Sequence, residues 1–366
     1  MSKITKVLIV DDSRIFRKLV EDSLKSKKDI EVIGSVRNGF KALEFIKLNR
    51  PDIVTLDVEM PDMDGLETLK AIQKINRANP DRPPIGVIML SAFTRKGADI
   101  TIEALSDGAF DFITKPESEC FEHSLEMLTQ QLVIKIRSFK TRRITGEIRP
   151  TGKEKKSSPQ KGALPLDNPN KINAILIGVS TGGPQALSHL LPPLCEKVAL
   201  PIFIVQHMPP TFTASLAKGL NAKCIHTVLE AGHAQKVMDR HVYLAPGGRH
   251  LTLRKRGTDV LTMLNDQPPE LGCRPSVDVL FRSALPIYGG NVVAIILTGM
   301  GTDGTRGITA LKRAGAYVIA QDEESSVVWG MPGSAFGSGN VDLISTLSEI
   351  PEAVGNLITK ETIRGK

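Results

Sequence analysis

The amino-acid sequence predicts an α/β protein made of two doubly wound parallel sheets joined by a basic linker. Three observations carry that expectation. Short apolar runs of strand length alternate with helical patterns along most of the chain, as a parallel sheet wrapped by helices requires. Many of these runs end on polar residues, and an open parallel sheet gathers its site at the carboxyl ends of its strands. From 141 to 169 the alternation stops in a stretch rich in Lys, Arg, Ser, Gly and Pro. That stretch reads as a flexible tether between domains at 1–140 and 170–366.

Residues 4–10 (ITKVLIV) read as the first strand, closing on Asp11 and Asp12, with a helix at 15–25. A second strand at 30–35 leads to a helix at 40–48. Three further strands, 52–57 (DIVTLD), 85–90 and 110–114, end at Asp57, at Ser91-Ala92 and at Lys115-Pro116. Apolar residues at Phe121, Leu125, Leu128, Leu132 and Ile136 keep near-helical spacing, so a long amphipathic helix over 120–140 closes the domain. Asp11, Asp12, Asp57, Ser91 and Lys115 therefore share one sheet edge. Clustered carboxylates suit Mg²⁺, and a lysine with a serine hydroxyl stabilises a phosphoryl group moving to an aspartate. Singly, each residue has a plainer use as a helix cap, a turn or a surface charge. Five at successive strand ends make that plainer use the poorer explanation.

Val10-Asp11-Asp12-Ser13, Leu56-Asp57-Val58-Glu59-Met60-Pro61-Asp62-Met63-Asp64-Gly65, Leu90-Ser91-Ala92 and Thr114-Lys115-Pro116 together resemble the receiver domain of two-component response regulators, over residues 4–138. The resemblance implies a flavodoxin-like sheet with Asp57 accepting phosphate from a histidine kinase. It implies Mg²⁺ held by Asp11, Asp12, Asp57 and the Glu59 carbonyl, and Ser91 and Lys115 binding the phosphoryl group. Phe112 stands where such domains carry an aromatic switch residue.

Composition narrows the classes. A chain of 366 residues, 41% hydrophobic and 24% charged, builds two proper cores, and no apolar run approaches the roughly 20 residues of a membrane span. A cytoplasmic protein without membrane insertion is expected. The net charge of +7 would raise nucleic-acid binding, but residues 135–161 carry ten Lys or Arg against two Glu, a balance of +8 that leaves −1 elsewhere. The basicity belongs to the linker, so no nucleic-acid partner is expected. Cys120, Cys195, Cys224 and Cys273 show no metal-type spacing and read as reduced packing residues.

The second domain resumes the alternation, with strands at 172–177, 202–205, 242–244, 251–254, 260–263, 292–297 and 316–320. Helices are expected at 185–191, 276–285 and 305–314, and a hairpin across 251–263. Between the first strand and helix lies Gly178-Val179-Ser180-Thr181-Gly182-Gly183-Pro184. Glycines there permit close backbone approach, and a helix start offers unpaired N–H groups. Alone, the stretch fits a nucleophile, a phosphate-cradling loop or a tight turn equally.

A nucleophilic Ser180 needs a base and an orienting acid. His207 directly follows a strand, and the run at 292–297 leads into Thr298-Gly299-Met300-Gly301-Thr302-Asp303-Gly304. Individually His207 fits a hydrogen-bonded strand-end residue and Asp303 a cap for the helix at 305. Jointly they favour a triad. The order Ser, His, Asp departs from the α/β-hydrolase order, in which histidine comes last, although Gly178 to Gly182 matches its elbow formally. Backbone N–H groups after Ser180 and around Met300 would face an oxyanion.

These segments, with Gln206-His207-Met208-Pro209, Ala245-Pro246-Gly247-Gly248-Arg249-His250, Arg274-Pro275-Ser276-Val277-Asp278 and Trp329-Gly330-Met331-Pro332, resemble the catalytic domain of the chemotaxis protein-glutamate methylesterases over residues 172–358. The resemblance implies a Rossmann-like esterase domain with Ser180, His207 and Asp303 as triad and Thr181 and Met300 as backbone support. It implies hydrolysis of glutamate methyl esters and deamidation of glutamines on chemoreceptors, with no cofactor for the ester reaction. It further implies a receiver that covers the esterase cleft until Asp57 is phosphorylated. A response regulator with a binding output, and a hydrolase of small esters, are the rival readings.

Overall fold

The computed structural model describes residues 4–116, 121–144 and 171–364, and the chain divides into two compact units, Met1–Lys155 and Lys156–Lys366. The expected tether lies outside the described residues from position 145 onward, as does Cys120. No helix among the described residues is long and apolar enough to cross a membrane.

In the first unit the strands are β1 (Thr5–Val10), β2 (Ile30–Val36), β3 (Ile53–Asp57), β4 (Gly86–Ser91) and β5 (Asp111–Thr114). They form one parallel sheet in the order β2-β1-β3-β4-β5. β3 and β4 are buried along their whole length, as strands covered on both faces must be. Helices α1 (Arg14–Lys25), α2 (Gly39–Leu48), α3 (Gly65–Ala78), α4 (Arg95–Ser106) and α5 (Phe121–Ile144) connect or close the sheet. Polar caps start the first four: Ser13, Asn38, Asp64 and Thr94 each accept a backbone N–H of the first turn. Asp64 and Glu67 form a reciprocal capping box.

The second unit has β6 (Ala174–Val179), β7 (Ile202–Gln206), β8 (Thr227–Glu230), β9 (Gln235–Lys236), β10 (His241–Leu244), β11 (His250–Arg256), β12 (Asp259–Asn265), β13 (Val292–Ile296), β14 (Tyr317–Gln321) and β15 (Leu343–Ser345). Seven strands make a sheet in the order β15-β14-β13-β6-β7-β10-β8, parallel throughout. β6 therefore lies between β13 and β7, with Val179 beside Gln206 and Gly178 beside Ile296. The expected hairpin forms from β11 and β12, but it joins β9 in a separate antiparallel sheet. Helices α6 (Gly183–Lys197), α7 (Phe212–Asn221), α8 (Val277–Tyr288), α9 (Thr305–Arg313), α10 (Gly330–Gly337) and α11 (Ile350–Arg364) complete the unit.

Several boundaries differ from expectation: the closing helix runs on to Ile144 where a tether was expected from 141, and two others differ for physical reasons. The helix expected to stop at 191 runs on to Lys197 through Pro192 and Pro193, because Leu190, Leu191, Leu194 and Cys195 continue one buried face. Burial outweighs the missing N–H donors. The strand expected at 172–177 is shifted to Ala174–Val179, so Ser180 follows its last residue directly.

Candidate active site

Ser180 is held by its backbone. Its N–H donates to Thr298 O at 3.0 Å, and its carbonyl accepts from Gly183 N at 2.8 Å and from Gln206 Nε2 at 2.9 Å. The turn needs its glycines: Gly182 has φ +78°, and a Cβ on Gly183 would lie 1.8 Å from Gln206 Oε1. Gly299 presses on the serine from β13's side, where an added Cβ would come within 2.8 Å of Ser180 Cβ. Thr298 binds the loops together, its N–H donating to Gln321 Oε1 at 2.8 Å and its hydroxyl to Thr181 O at 2.9 Å. Among the described residues neither the Thr181 nor the Met300 N–H has an acceptor.

His207 begins where β7 ends, its N–H donating to Val179 O at 3.1 Å. Its ring Nε2 lies 2.8 Å from Asp303 Oδ2. Burial alone would lower the imidazole's pKa, but hydrogen bonds and charge from Asp303 and Cys273 outweigh it and raise the pKa to about 9. Asp303 does not cap α9, whose N-cap position is Gly304 and has no side-chain cap. It sits instead against the start of α8. Oδ1 accepts from Ser276 Oγ at 2.9 Å and Asp278 N at 3.0 Å, and Oδ2 accepts from Val277 N at 2.7 Å. Burial would push this carboxyl up; His207 and the backbone N–H groups of Asp278 and Val277 hold it below the ordinary carboxylate range. Ser180, His207 and Asp303 are thus brought to one edge of one sheet.

Sequence reasoning missed several participants. Gln206 donates to both the Ser180 and His207 carbonyls, at 2.9 and 3.2 Å, and locks the two strand ends together. Ser276, Val277 and Asp278 cradle Asp303 from about a turn of α8. Cys273, expected to be a packing residue, is half-buried with its Sγ 3.7 Å from His207 Nδ1. The Gln-His and Pro-Ser-Val-Asp motifs were visible signals; Cys273 carried none.

The first unit has its own polar edge. Lys115 Nζ lies 2.7 Å from Asp11 Oδ2 and 2.9 Å from Asp57 Oδ2. Burial, then the Asp11 charge, pushes Asp57 up to about 6, with Lys115 opposing. Burial likewise raises Asp11. Burial by itself would lower the lysine's pKa, and Asp57 and Asp11 more than reverse that. Ser91 is buried, and its carbonyl accepts from Lys115 N at 2.8 Å. Carboxylate oxygens of Asp11, Asp12 and Asp57 come within 4.8 Å of one another, an all-oxygen set that fits a hard dication. The Glu59 carboxylate pairs with Lys96 at 3.2 Å.

Comparison with known proteins defines the class first. The response regulator receiver domain matches residues 7–122, and the CheB methylesterase matches residues 175–354. This is a response regulator with a hydrolase output. The protein-glutamate methylesterase/protein-glutamine glutaminase of Desulfotalea psychrophila is 41% identical over 359 residues, covering 95% of this chain and 97% of that protein. The protein of the same name from Pyrococcus horikoshii is 40% identical and covers 100% of this chain and 96% of its own length. Among solved structures, the Thermotoga maritima CheB methylesterase catalytic domain is 40% identical with TM-score 0.49, covering 51% of this chain and 99% of that one. The chain belongs to the protein-glutamate methylesterase/protein-glutamine glutaminase family.

Proposed function

We propose that this chain hydrolyses glutamate methyl esters and deamidates glutamines on the cytoplasmic helices of methyl-accepting chemoreceptors, under control of Asp57 phosphorylation. The observation that carries the catalytic part is the 2.8 Å contact between His207 Nε2 and Asp303 Oδ2 at the strand end beside Ser180. Asp303 engages one ring nitrogen, and the other, Nδ1, accepts the Ser180 hydroxyl proton as Oγ bonds to the ester carbonyl. Thr181 and Met300 N–H groups receive the oxygen as it gains negative charge. The tetrahedral adduct collapses, methoxide takes the proton from His207, and methanol leaves. Water, losing a proton to His207, then attacks the acyl-serine; the C–Oγ bond breaks, Ser180 Oγ takes that proton back from His207, and glutamate is freed. A glutamine side chain offers the same carbonyl and releases ammonia.

In the receiver, Asp57 Oδ attacks the phosphorus of the kinase's phosphohistidine, the P–N bond breaks and the kinase imidazole leaves, while Lys115 and Ser91 contact the transferred oxygens. Asp11, Asp12 and Asp57 with the Glu59 carbonyl would hold Mg²⁺, which supplies charge neutralisation for the carboxylates and the incoming phosphoryl group. Phosphorylation of Asp57 then raises the rate of the esterase. The reading places the protein in the cytoplasm, where receptor helices and kinase are both accessible.

A serine-directed fluorophosphonate tests the catalytic assignment. Mass spectrometry is expected to find a single phosphonyl adduct on Ser180, with methanol release lost in proportion. Full labelling at another residue, or full labelling of Ser180 with ester hydrolysis intact, would overturn it.

A further inference from the structure

The Cys273–His207 pair has the arrangement of half a metal site. Cys273 sits at the end of a tight turn, in which Leu271 and Gly272 have φ of 50° and 76°. The turn is closed by Cys273 N donating to Glu270 O at 2.9 Å and Glu270 N donating to Cys273 O at 3.1 Å. Arg282 of α8 grips the Glu270 carboxylate with two hydrogen bonds of 2.8 and 2.5 Å. On the other flank Arg274 donates to the Asp266 and Gln267 carbonyls at 3.1 and 3.3 Å. The backbone that carries the thiol is therefore braced on both sides, and α8 braces it in the same frame as Asp303, whose carboxylate rests on that helix's first residues.

The donor geometry fits zinc. A tetrahedral Zn²⁺ with its usual Zn–N and Zn–S lengths separates the two donor atoms by about 3.5 Å. Cys273 Sγ and His207 Nδ1 are 3.7 Å apart. Asp303 occupies the opposite ring nitrogen at 2.8 Å, the carboxylate–histidine–metal order that orients a ligating imidazole. Thiolate and imidazole together select a borderline-soft ion over Mg²⁺. His207, Cys273 and Asp303 in fact form one of two groups of metal-capable side chains whose donor atoms cluster within 4.8 Å among the described residues. The other is the all-carboxylate group of the receiver, which suits a hard ion.

We propose that Cys273 and His207 Nδ1 bind Zn²⁺, with water completing the coordination, and that this ion reversibly silences the esterase. Binding displaces the thiol proton, and any proton on Nδ1, to solvent. Once Nδ1 is occupied it has no lone pair for the Ser180 proton, so acylation stops until zinc leaves. The inhibitory half rests on His207 being the base; the metal site itself does not.

The test uses the full chain, stripped with a chelator, and two readouts. Titration with Co²⁺ reports the site through a sulfur-to-cobalt charge-transfer band. That band is expected in the wild type and in Cys224→Ser, absent in Cys273→Ser, and weakened by about 10- to 100-fold in cobalt affinity in Asp303→Asn, which removes the carboxylate behind the ligand. Methanol release titrated with Zn²⁺, each variant scaled to its own metal-free rate, is expected to need more than about tenfold more zinc for half-inhibition in Cys273→Ser, with chelator restoring the wild-type rate. A band that survives in Cys273→Ser, or inhibition insensitive to that change, overturns the proposal. Cobalt binding at Cys273 without inhibition of an active enzyme overturns its inhibitory half. A metal-free chain that hydrolyses no ester overturns the function proposed above, while the cobalt band still decides the site.

Discussion

Asp57 and Asp303 lie at the carboxyl edges of two parallel sheets, nearly equally buried at 4% and 3% exposure, and burial leaves them in opposite states. Asp57 is pushed up to about 6, by burial and then by the Asp11 charge. Asp303 is held below the usual carboxylate range, although burial pulls it upward too. The difference lies in the donors each receives. Asp303 accepts from Ser276 Oγ, from two backbone N–H groups and from His207. Asp57 has Lys115, which it shares with Asp11. One carboxylate is fully solvated by the protein before any substrate arrives; the other is left short of positive charge, as the role proposed for Asp57, holding Mg²⁺ and accepting phosphate, requires. Preorganisation and vacancy of charge are two uses of the same strand-end position.

The largest test of this contrast removes the preorganised charge. Asp303→Asn keeps the shape but loses the carboxylate behind His207, and kcat for ester hydrolysis is expected to fall by about 10⁴-fold, measured as methanol release under saturating receptor. A fall below tenfold would mean that the α8 cradle serves stability alone.

A second, intermediate effect lies in pH. The base must be unprotonated, and His207 has a raised pKa of about 9, so kcat/KM is expected to climb with pH until that value is passed. In Asp303→Asn the inflection should move down, because a principal source of the upward shift is gone. An inflection that does not move would separate Asp303 from His207 energetically.

The smallest effect falls on the receiver. The Asp57 pKa in the folded state, about 6, lies above the ordinary value of 3.8, so the folded state holds the proton more tightly and stability falls as pH rises between those values. Two pKa units correspond to about 3 kcal/mol at most. Asp57→Asn should therefore raise the receiver's melting temperature at pH 8 and lose that advantage at pH 4. Equal melting at both pH values would show that Lys115 already compensates Asp57.

What the sequence revealed follows from the range of the interactions. Strand-end aspartates and the Ser180 turn were legible because period, glycine spacing and terminal polar residues are local. The pairing of His207 with Asp303, 96 residues apart, was legible only through the strand ends that precede them. The α8 cradle was not, since backbone N–H groups at a helix start look alike at every helix until tertiary packing supplies an acceptor. Cys273 gave no signal because its partner is 66 residues distant and its turn is set by Leu271 and Gly272, not by any metal-binding spacing. The proline pair inside α6 misled for a related reason: local propensity speaks for a stop, and only the buried face beyond it speaks for continuation.

The central claim, that phosphate at Asp57 governs a hydrolysis performed by Ser180, is tested most directly by one comparison. Methanol released from methylated receptor is measured with and without a small-molecule phosphodonor and Mg²⁺, for the wild type, Ser180→Ala and Asp57→Asn. The account predicts stimulation by phosphodonor in the wild type, no release from Ser180→Ala under either condition, and no stimulation in Asp57→Asn. Methanol release from Ser180→Ala at the wild-type rate, or full stimulation in Asp57→Asn, would contradict it.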